Sequence, residues 1–196
     1  YTKAIEIDPV SLLYSNRANR YFKLEYYEKS IADFTSAIEL DKENPIHYEN
    51  RADCYIEIED YTNALKDLDK TIELAPDDAY YYNNRADFYR EQGKYDEALI
   101  DYATAIEIST DDYSTTRAIN NRALIYEEKE EYELAIEEYT KAIEIDPVSL
   151  LYSNRADGYF TLEDYEKALK DFTSAIELDK ENPKHYVNRA DCYIEI

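Results

Sequence analysis

The chain has 196 residues, 45 of them Asp or Glu against 22 Lys or Arg, for a formal net charge of −23. Such an acidic surface repels nucleic-acid phosphates and anionic membranes, which recruit clustered cations. No apolar run approaches the roughly 20 residues that span a bilayer, so the expected partner is a protein or peptide rather than nucleic acid or membrane.

In chain order, Tyr1–Ile7 reads as part of a helix. The stretch SLLYSNRANRYFKL from Ser11 then sets Tyr14, Ala18 and Tyr21 on one helical face, at i, i+4 and i+7. The next stretch, YYEKSIADFTSAIEL, aligns Tyr27, Ile31, Phe34, Ala37 and Ile38 along another. Asn44-Pro45 punctuates: Asn is a good N-cap and Pro is tolerated in the first helical turn. The same pair of helical stretches then recurs to the end of the chain. Asn-Arg-Ala marks it at Asn16, Asn50, Asn84, Asn121, Asn154 and Asn188, with gaps of 34, 34, 37, 33 and 34 residues. Repeats are therefore placed at 11–44, 45–78, 79–115, 116–148 and 149–182, between half repeats at 1–10 and 183–196. The wide gap falls at Asp111–Thr115, a longer loop or an additional helical turn. Strand signals are absent, and the expected fold is all-α.

A longer period overlies the short one. Residues 1–58 return as 139–196, an offset of 138, with only nine differences, among them Asn19/Asp157, Arg20/Gly158, Tyr26/Asp164 and Ile46/Lys184. The chain starts without methionine inside a second helix and stops after a first helix. It reads as an excerpt of a longer array in which a four-repeat block was duplicated.

One hairpin of this size cannot bury both apolar faces, so neighbours must stack. Small residues mark the close approaches: Ala18, Ala52, Ala86, Ala123, Ala156 and Ala190 in the first helix, then Ala64, Ala98, Ala135 and Ala168 with Ser30 in the second. Ala37, Ala105, Ala142 and Ala175 mark a third position, where Thr71 is the exception. Tyr21, Tyr55, Tyr89, Tyr126, Tyr159 and Tyr193, with Tyr27, Tyr61, Tyr95, Tyr132 and Tyr165, are expected to supply most of the stacking energy. Each buried ring is worth roughly 1.5–3 kcal/mol.

This arrangement resembles the tetratricopeptide repeat (TPR) family along the whole chain. The third repeat carries the likeness best, with Tyr82, Ala86, Tyr89, Gly93, Tyr95, Ala98, Tyr102 and Ala105 in register. The resemblance implies a right-handed α-solenoid, a superhelix of helix-turn-helix repeats. Two departures stand out. Glu25, Glu59, Glu130 and Glu163 replace the family's usual turn glycine, which survives at Gly93. Arg17, Arg51, Arg85, Arg122, Arg155 and Arg189 stand where Leu is common. An arginine stem can be buried while its head pairs with an acid, so these are read as structural.

Chemistry finds little support in the residue types. His47 and His185 repeat one position, with Cys54 and Cys192 seven residues on. Seven residues is about 10 Å along a helix, too far for a Cys–His hydrogen bond, and a tetrahedral zinc site needs more ligands than these. No catalytic, cofactor or metal residues are expected; the histidines read as packed and the cysteines as buried thiols.

Binding is better supported. In the family the first helices line a concave groove. Asn16, Asn50, Asn84, Asn121, Asn154 and Asn188 would form a ladder along it, able to clamp the peptide groups of an extended chain. Asp53, Asp87, Asp157 and Asp191 lie three residues later on the same face. They would add a preference for Lys/Arg or for hydroxyl and amide donors. Both ladders are similar to those in the TPR superhelix of O-linked GlcNAc transferases. The family's carboxylate clamp is rejected, since Ser15, Glu49, Asn83, Asn120 and Ser153 stand where it needs Lys. The expected function is a non-enzymatic scaffold for an extended, basic or polar peptide. The alternative is a structural array that associates weakly head to tail with itself.

Overall fold

The computed structural model describes residues 1–196 as twelve α-helices without a strand. They fall into two compact units, Tyr1–Arg85 and Ala86–Ile196. The first holds α1 (Thr2–Ile7), α2 (Ser11–Phe22), α3 (Tyr27–Leu40), α4 (Pro45–Glu57) and α5 (Tyr61–Leu74). The division between the units lies within α6 (Ala79–Glu91). The second unit holds α7 (Tyr95–Ile108), α8 (Asp112–Glu128), α9 (Tyr132–Ile145), α10 (Ser149–Thr161), α11 (Tyr165–Leu178) and α12 (Pro183–Glu195). In each unit a helix packs chiefly on its sequence neighbours, as α2 on α3, α3 on α4, α9 on α10 and α10 on α11. This is the stacked-hairpin order of an α-solenoid.

Local chemistry sets the helix ends. Asn44 and Asn182 accept hydrogen bonds from the backbone N–H of Ile46 and Lys184 at 3.2 and 3.1 Å, each with Pro in the first turn. Asp111 caps α8 by accepting from Ser114 N at 2.8 Å, so Asp112–Thr115 is an additional helical turn and not a longer loop. Between paired helices the chain turns through a left-handed residue: Glu25, Glu59, Gly93, Glu130 and Glu163, with φ from 60° to 69°. The residue after each donates its N–H back to a tyrosine carbonyl near the helix end, as Asp60 N to Tyr55 O at 2.8 Å. Only glycine reaches this conformation without a Cβ clash, so each glutamate is strained. Glu59→Gly is expected to stabilise the chain by about 1 kcal/mol in urea denaturation, and Glu59→Ala to bring no gain.

The small positions close the interior. Ala18, Ala52, Ala86, Ala123 and Ala156 are fully buried, and so are Ala64, Ala98, Ala135 and Ala168. The polar exceptions are buried too and find backbone partners. Ser30 Oγ donates to Ala18 O at 2.9 Å and Thr71 Oγ1 to Leu68 O at 2.7 Å.

The expectation for the tyrosines needs correction. Tyr21, Tyr55, Tyr89, Tyr126 and Tyr159 are half-buried, Tyr61 is exposed and Tyr193 more so. The most bulky fully buried side chains instead share one position of the second helix, Phe34, Leu68, Tyr102, Tyr139 and Phe172, with Phe88, Ile125 and Leu151 of first helices beside them. A phenol keeps its hydroxyl hydrated when its ring lies at a helix end, whereas this mid-helix position has protein on every side.

Tyrosine rings have another use. Tyr48 and Tyr55 flank the Arg51 guanidinium at 5.9 and 5.8 Å, and Tyr152 and Tyr159 flank Arg155 at 5.7 and 6.0 Å. Between its rings each arginine forks onto an acid of the following helix. Arg17 meets Asp33 at 2.6 and 2.7 Å, Arg51 meets Asp67 at 2.7 and 2.8 Å, and Arg155 meets Asp171 at 2.7 and 2.9 Å. The remaining nitrogen of Arg51 and Arg155 reaches back to Thr35 and Thr140 of the preceding second helix. The arginine that replaces leucine is thus a three-helix tie.

Candidate functional site

In the Tyr1–Arg85 unit the candidate residues sit on α2, α4 and the start of α6. Asn16 is half-buried in a cleft of about 270 Å³ with Tyr1, Asn19, Arg20, Phe22 and Lys23. Asn50 turns its amide onto its own helix, donating to Ile46 O at 2.8 Å. Asn84 donates to Glu49 Oε1 at 2.7 Å, across to the preceding repeat. Asp53 makes no hydrogen bond or ion pair. It lies one turn from Glu49 and one from Glu57, so three carboxylates line one face of α4.

In the Ala86–Ile196 unit Asp87 is a saturated hub. Its Oδ1 accepts from the Tyr102 hydroxyl and from Asn121 Nδ2 at 2.7 Å, while Oδ2 is paired with Arg117. Asn188 donates to Asp157 Oδ1 at 3.1 Å, and Asn154 to Asn120 Oδ1 at 3.4 Å. Asp191 is exposed and unbonded.

The two ladders meet at two places, Asn121 with Asp87 and Asn188 with Asp157. An asparagine in one repeat donates to an acceptor about 34 residues earlier, as Asn121 to Asp87 and Asn154 to Asn120. Much of their donor capacity ties repeats together. Residue types alone could not have marked Asp87 as consumed, because Tyr102 and Arg117 come from helices 15 and 30 residues away.

What remains is uneven electrostatics. Burial, then Glu49 and Glu57, push the Asp53 carboxyl up to about 6, although water still reaches it. Burial, with Asp157 and Glu128 adding to it, pushes Glu127 up to about 7. Both values exceed those of the unfolded chain, near 3.9 and 4.3. The folded state holds the additional protons between those limits. The stability each group contributes is thus present in acid and lost as pH rises toward neutral. Asp53→Asn is expected to raise the melting temperature near pH 7.5 and to leave it unchanged near pH 4, read by circular dichroism.

The cysteine and histidine positions are inert by geometry. Cys54 is fully buried against Ser30 Oγ and Asn50 O, both at 3.2 Å, and burial lifts its thiol to about 11. A thiol held protonated is a poor nucleophile. His47 is buried, which lowers its pKa, and neither ring nitrogen is bonded. No group of three or more His, Cys, Asp and Glu is placed to hold a metal ion. No helix is long and apolar enough to cross a membrane.

Comparison with known proteins agrees with this architecture. Sequence profiles of the tetratricopeptide repeat match residues 15–79, 77–147 and 149–182. A search of curated proteins finds no match by sequence. Among solved structures, the chain is similar to YrrB, described as a TPR protein with an unusual peptide-binding site. The identity is 21% and the TM-score 0.67, covering 96% of this chain and 97% of that one. Yeast Tom70 superposes with a TM-score of 0.78 at 21% identity, over 99% of this chain and 42% of its own. PilF of Pseudomonas aeruginosa gives 0.76 at 18% identity, over 96% and 86%.

Proposed function

Because the chain belongs to the tetratricopeptide repeat family, we propose that it is a non-enzymatic scaffold that binds an extended basic or polar peptide along its first helices. One observation carries this. Glu49, Asp53 and Glu57 stand one turn apart on α4; Glu49 accepts from Asn84 and Glu57 from the Tyr27 hydroxyl, while the middle carboxylate makes no bond. Like charges held together cost stability that a cationic ligand returns, which is a common signature of a binding face. Asn84, whose amide holds Glu49, and Asn50 on the same helix frame the stripe. In the other unit the acids available to a ligand are Asp157, Glu127 and the exposed Asp191, with Asn154 and Asn188 beside them. Asp87 and Asn121 act there as a brace.

The test is fluorescence anisotropy with labelled lysine-rich and glutamate-rich extended peptides of equal length. The lysine-rich peptide is expected to bind more tightly, and added salt to weaken it, since exposed charges are screened beyond about 10 Å at 0.1 M. Asp53→Asn with Glu57→Gln is expected to weaken it by about two- to fivefold per charge. Equal binding of both peptides overturns the preference for basic partners. Binding of neither overturns the scaffold role itself.

A further inference from the structure

The longest repeat carries a cleft of its own. Five of the first helices, α2, α4, α6, α10 and α12, have 12 or 13 residues, whereas α8 has 17. The additional turn, Asp112–Thr115, extends α8 at its N-terminal end, where Asp111 caps it through the Ser114 N–H. Tyr113 on that turn, the connection from α9 to α10 and the first turn of α10 together bound a cleft of about 280 Å³. The whole cleft lies within the Ala86–Ile196 unit.

Its walls are mainly apolar. Leu151 is a buried floor, while Tyr113, Leu150 and Val148 are 75%, 58% and 39% exposed around it. Apolar side chains exposed singly need no explanation, but several gathered about one concavity mark a contact surface. The polar groups of the cleft differ in what they have left to give. The Arg117 guanidinium is paired with Asp87, and Thr116 Oγ1 is buried out of reach of solvent. Asn120 donates one amide hydrogen to Asn121 Oδ1 at 3.0 Å and keeps the second, because Nδ2 carries two. Asp146 is half-buried, and its carboxylate makes no hydrogen bond or ion pair. With Arg117 neutralised, Asp146 sets the sign of the cleft, and Asp112 next to Tyr113 adds to it.

We propose that this cleft receives one apolar side chain, of leucine or phenylalanine size, from a polypeptide partner in which lysine or arginine adjoins it. The apolar walls select the anchor, since such a side chain gains by leaving water. Asp146 selects the basic neighbour through a charge-assisted bond. The remaining amide hydrogen of Asn120 suits a backbone carbonyl of the same partner, which favours a polypeptide over a bare hydrocarbon. The volume lies just below the roughly 300–1,000 Å³ of small-molecule pockets, which suits one side chain rather than a cofactor. A second copy of this chain fits less well, because each copy carries a formal net charge of −23. This inference rests on the peptide-binding reading and adds an anchor that neither ladder contains.

The chain has no tryptophan, so Tyr113→Trp places a single indole in the cleft wall. Tyr26→Trp, just ahead of α3, places one in the other unit as a control. The probes are labelled Gly-Ser peptides with a central Leu-Lys, Ser-Lys or Leu-Gln pair, added to the whole chain. The Leu-Lys peptide is expected to move the emission of Tyr113→Trp to shorter wavelength and to leave that of Tyr26→Trp in place. By anisotropy it is expected to bind about tenfold more tightly than Ser-Lys. Over Leu-Gln the expected advantage is about two- to fivefold. Leu150→Asn is expected to remove the first advantage and Asp146→Asn the second. Helicity should be unchanged in both, because neither side chain is buried. Equal binding of Leu-Lys and Ser-Lys, or an unmoved indole while peptide binds, overturns the anchor and leaves peptide binding intact. Equal binding of Leu-Lys and Leu-Gln overturns the basic neighbour. An emission shift that grows with protein concentration before any peptide is added makes a second copy the occupant and overturns the proposal. No anisotropy change with any peptide, the lysine-rich one included, overturns the scaffold reading and the anchor together.

Discussion

Replacing Asp67 by alanine is expected to destabilise the chain by about 3–5 kcal/mol, the usual cost of breaking a buried ion pair from one side. The Asp67 side chain is 4% exposed and that of Arg51 16%, so the guanidinium left behind has little access to water. Its other contacts, Thr35 Oγ1 at 2.9 Å and two tyrosine faces, supply no counter-charge. The measurement is urea denaturation followed by helical circular dichroism. Exchanging both partners, Arg51→Met with Asp67→Leu, should recover most of the loss, because an apolar pair of similar volume carries no desolvation penalty. A loss below about 1 kcal/mol in the single variant would place the pair among ordinary surface ion pairs. The same tie recurs at Arg155–Asp171, where Asp171→Ala should behave alike.

Truncating Tyr102 to alanine is expected to cost about 3–5 kcal/mol, since the ring is fully buried and its removal leaves a cavity. The hydroxyl is separable from the ring. Tyr102→Phe should cost about 1 kcal/mol, because Asp87 keeps Arg117 and Asn121 as donors. Tyr139→Phe should cost less, because that hydroxyl closes no well-formed hydrogen bond and only faces the Glu127 carboxyl. Equal costs for the two phenylalanine variants would mean that the Tyr139 hydroxyl is bonded as firmly as that of Tyr102. Both variants are read by the same denaturation experiment.

Local periodicity made most of the architecture legible. Helices recur every 33–37 residues because apolar and small positions do, and Asn-Pro pairs announce the starts of α4 and α12. The arginine in place of leucine could be read as a salt-bridged stem, since a buried cation must be paired. Local pattern could not say which tyrosines are buried. Those near the helix ends and those in mid-helix obey the same periodicity, and only the neighbouring repeat decides which loses its water. It likewise could not mark Asp87 as consumed and Asp53 as bare. Both follow Asn-Arg-Ala, but Asp87 is met by Tyr102, Arg117 and Asn121 from other helices and Asp53 by none. Sequence by itself determined the helices, their repeat and the small-residue seams, because these depend on neighbours three or four positions away. Which polar groups are spent on the fold and which stay unbonded was decided by tertiary structure, because a hydrogen bond across a repeat depends on side chains some 30 residues apart.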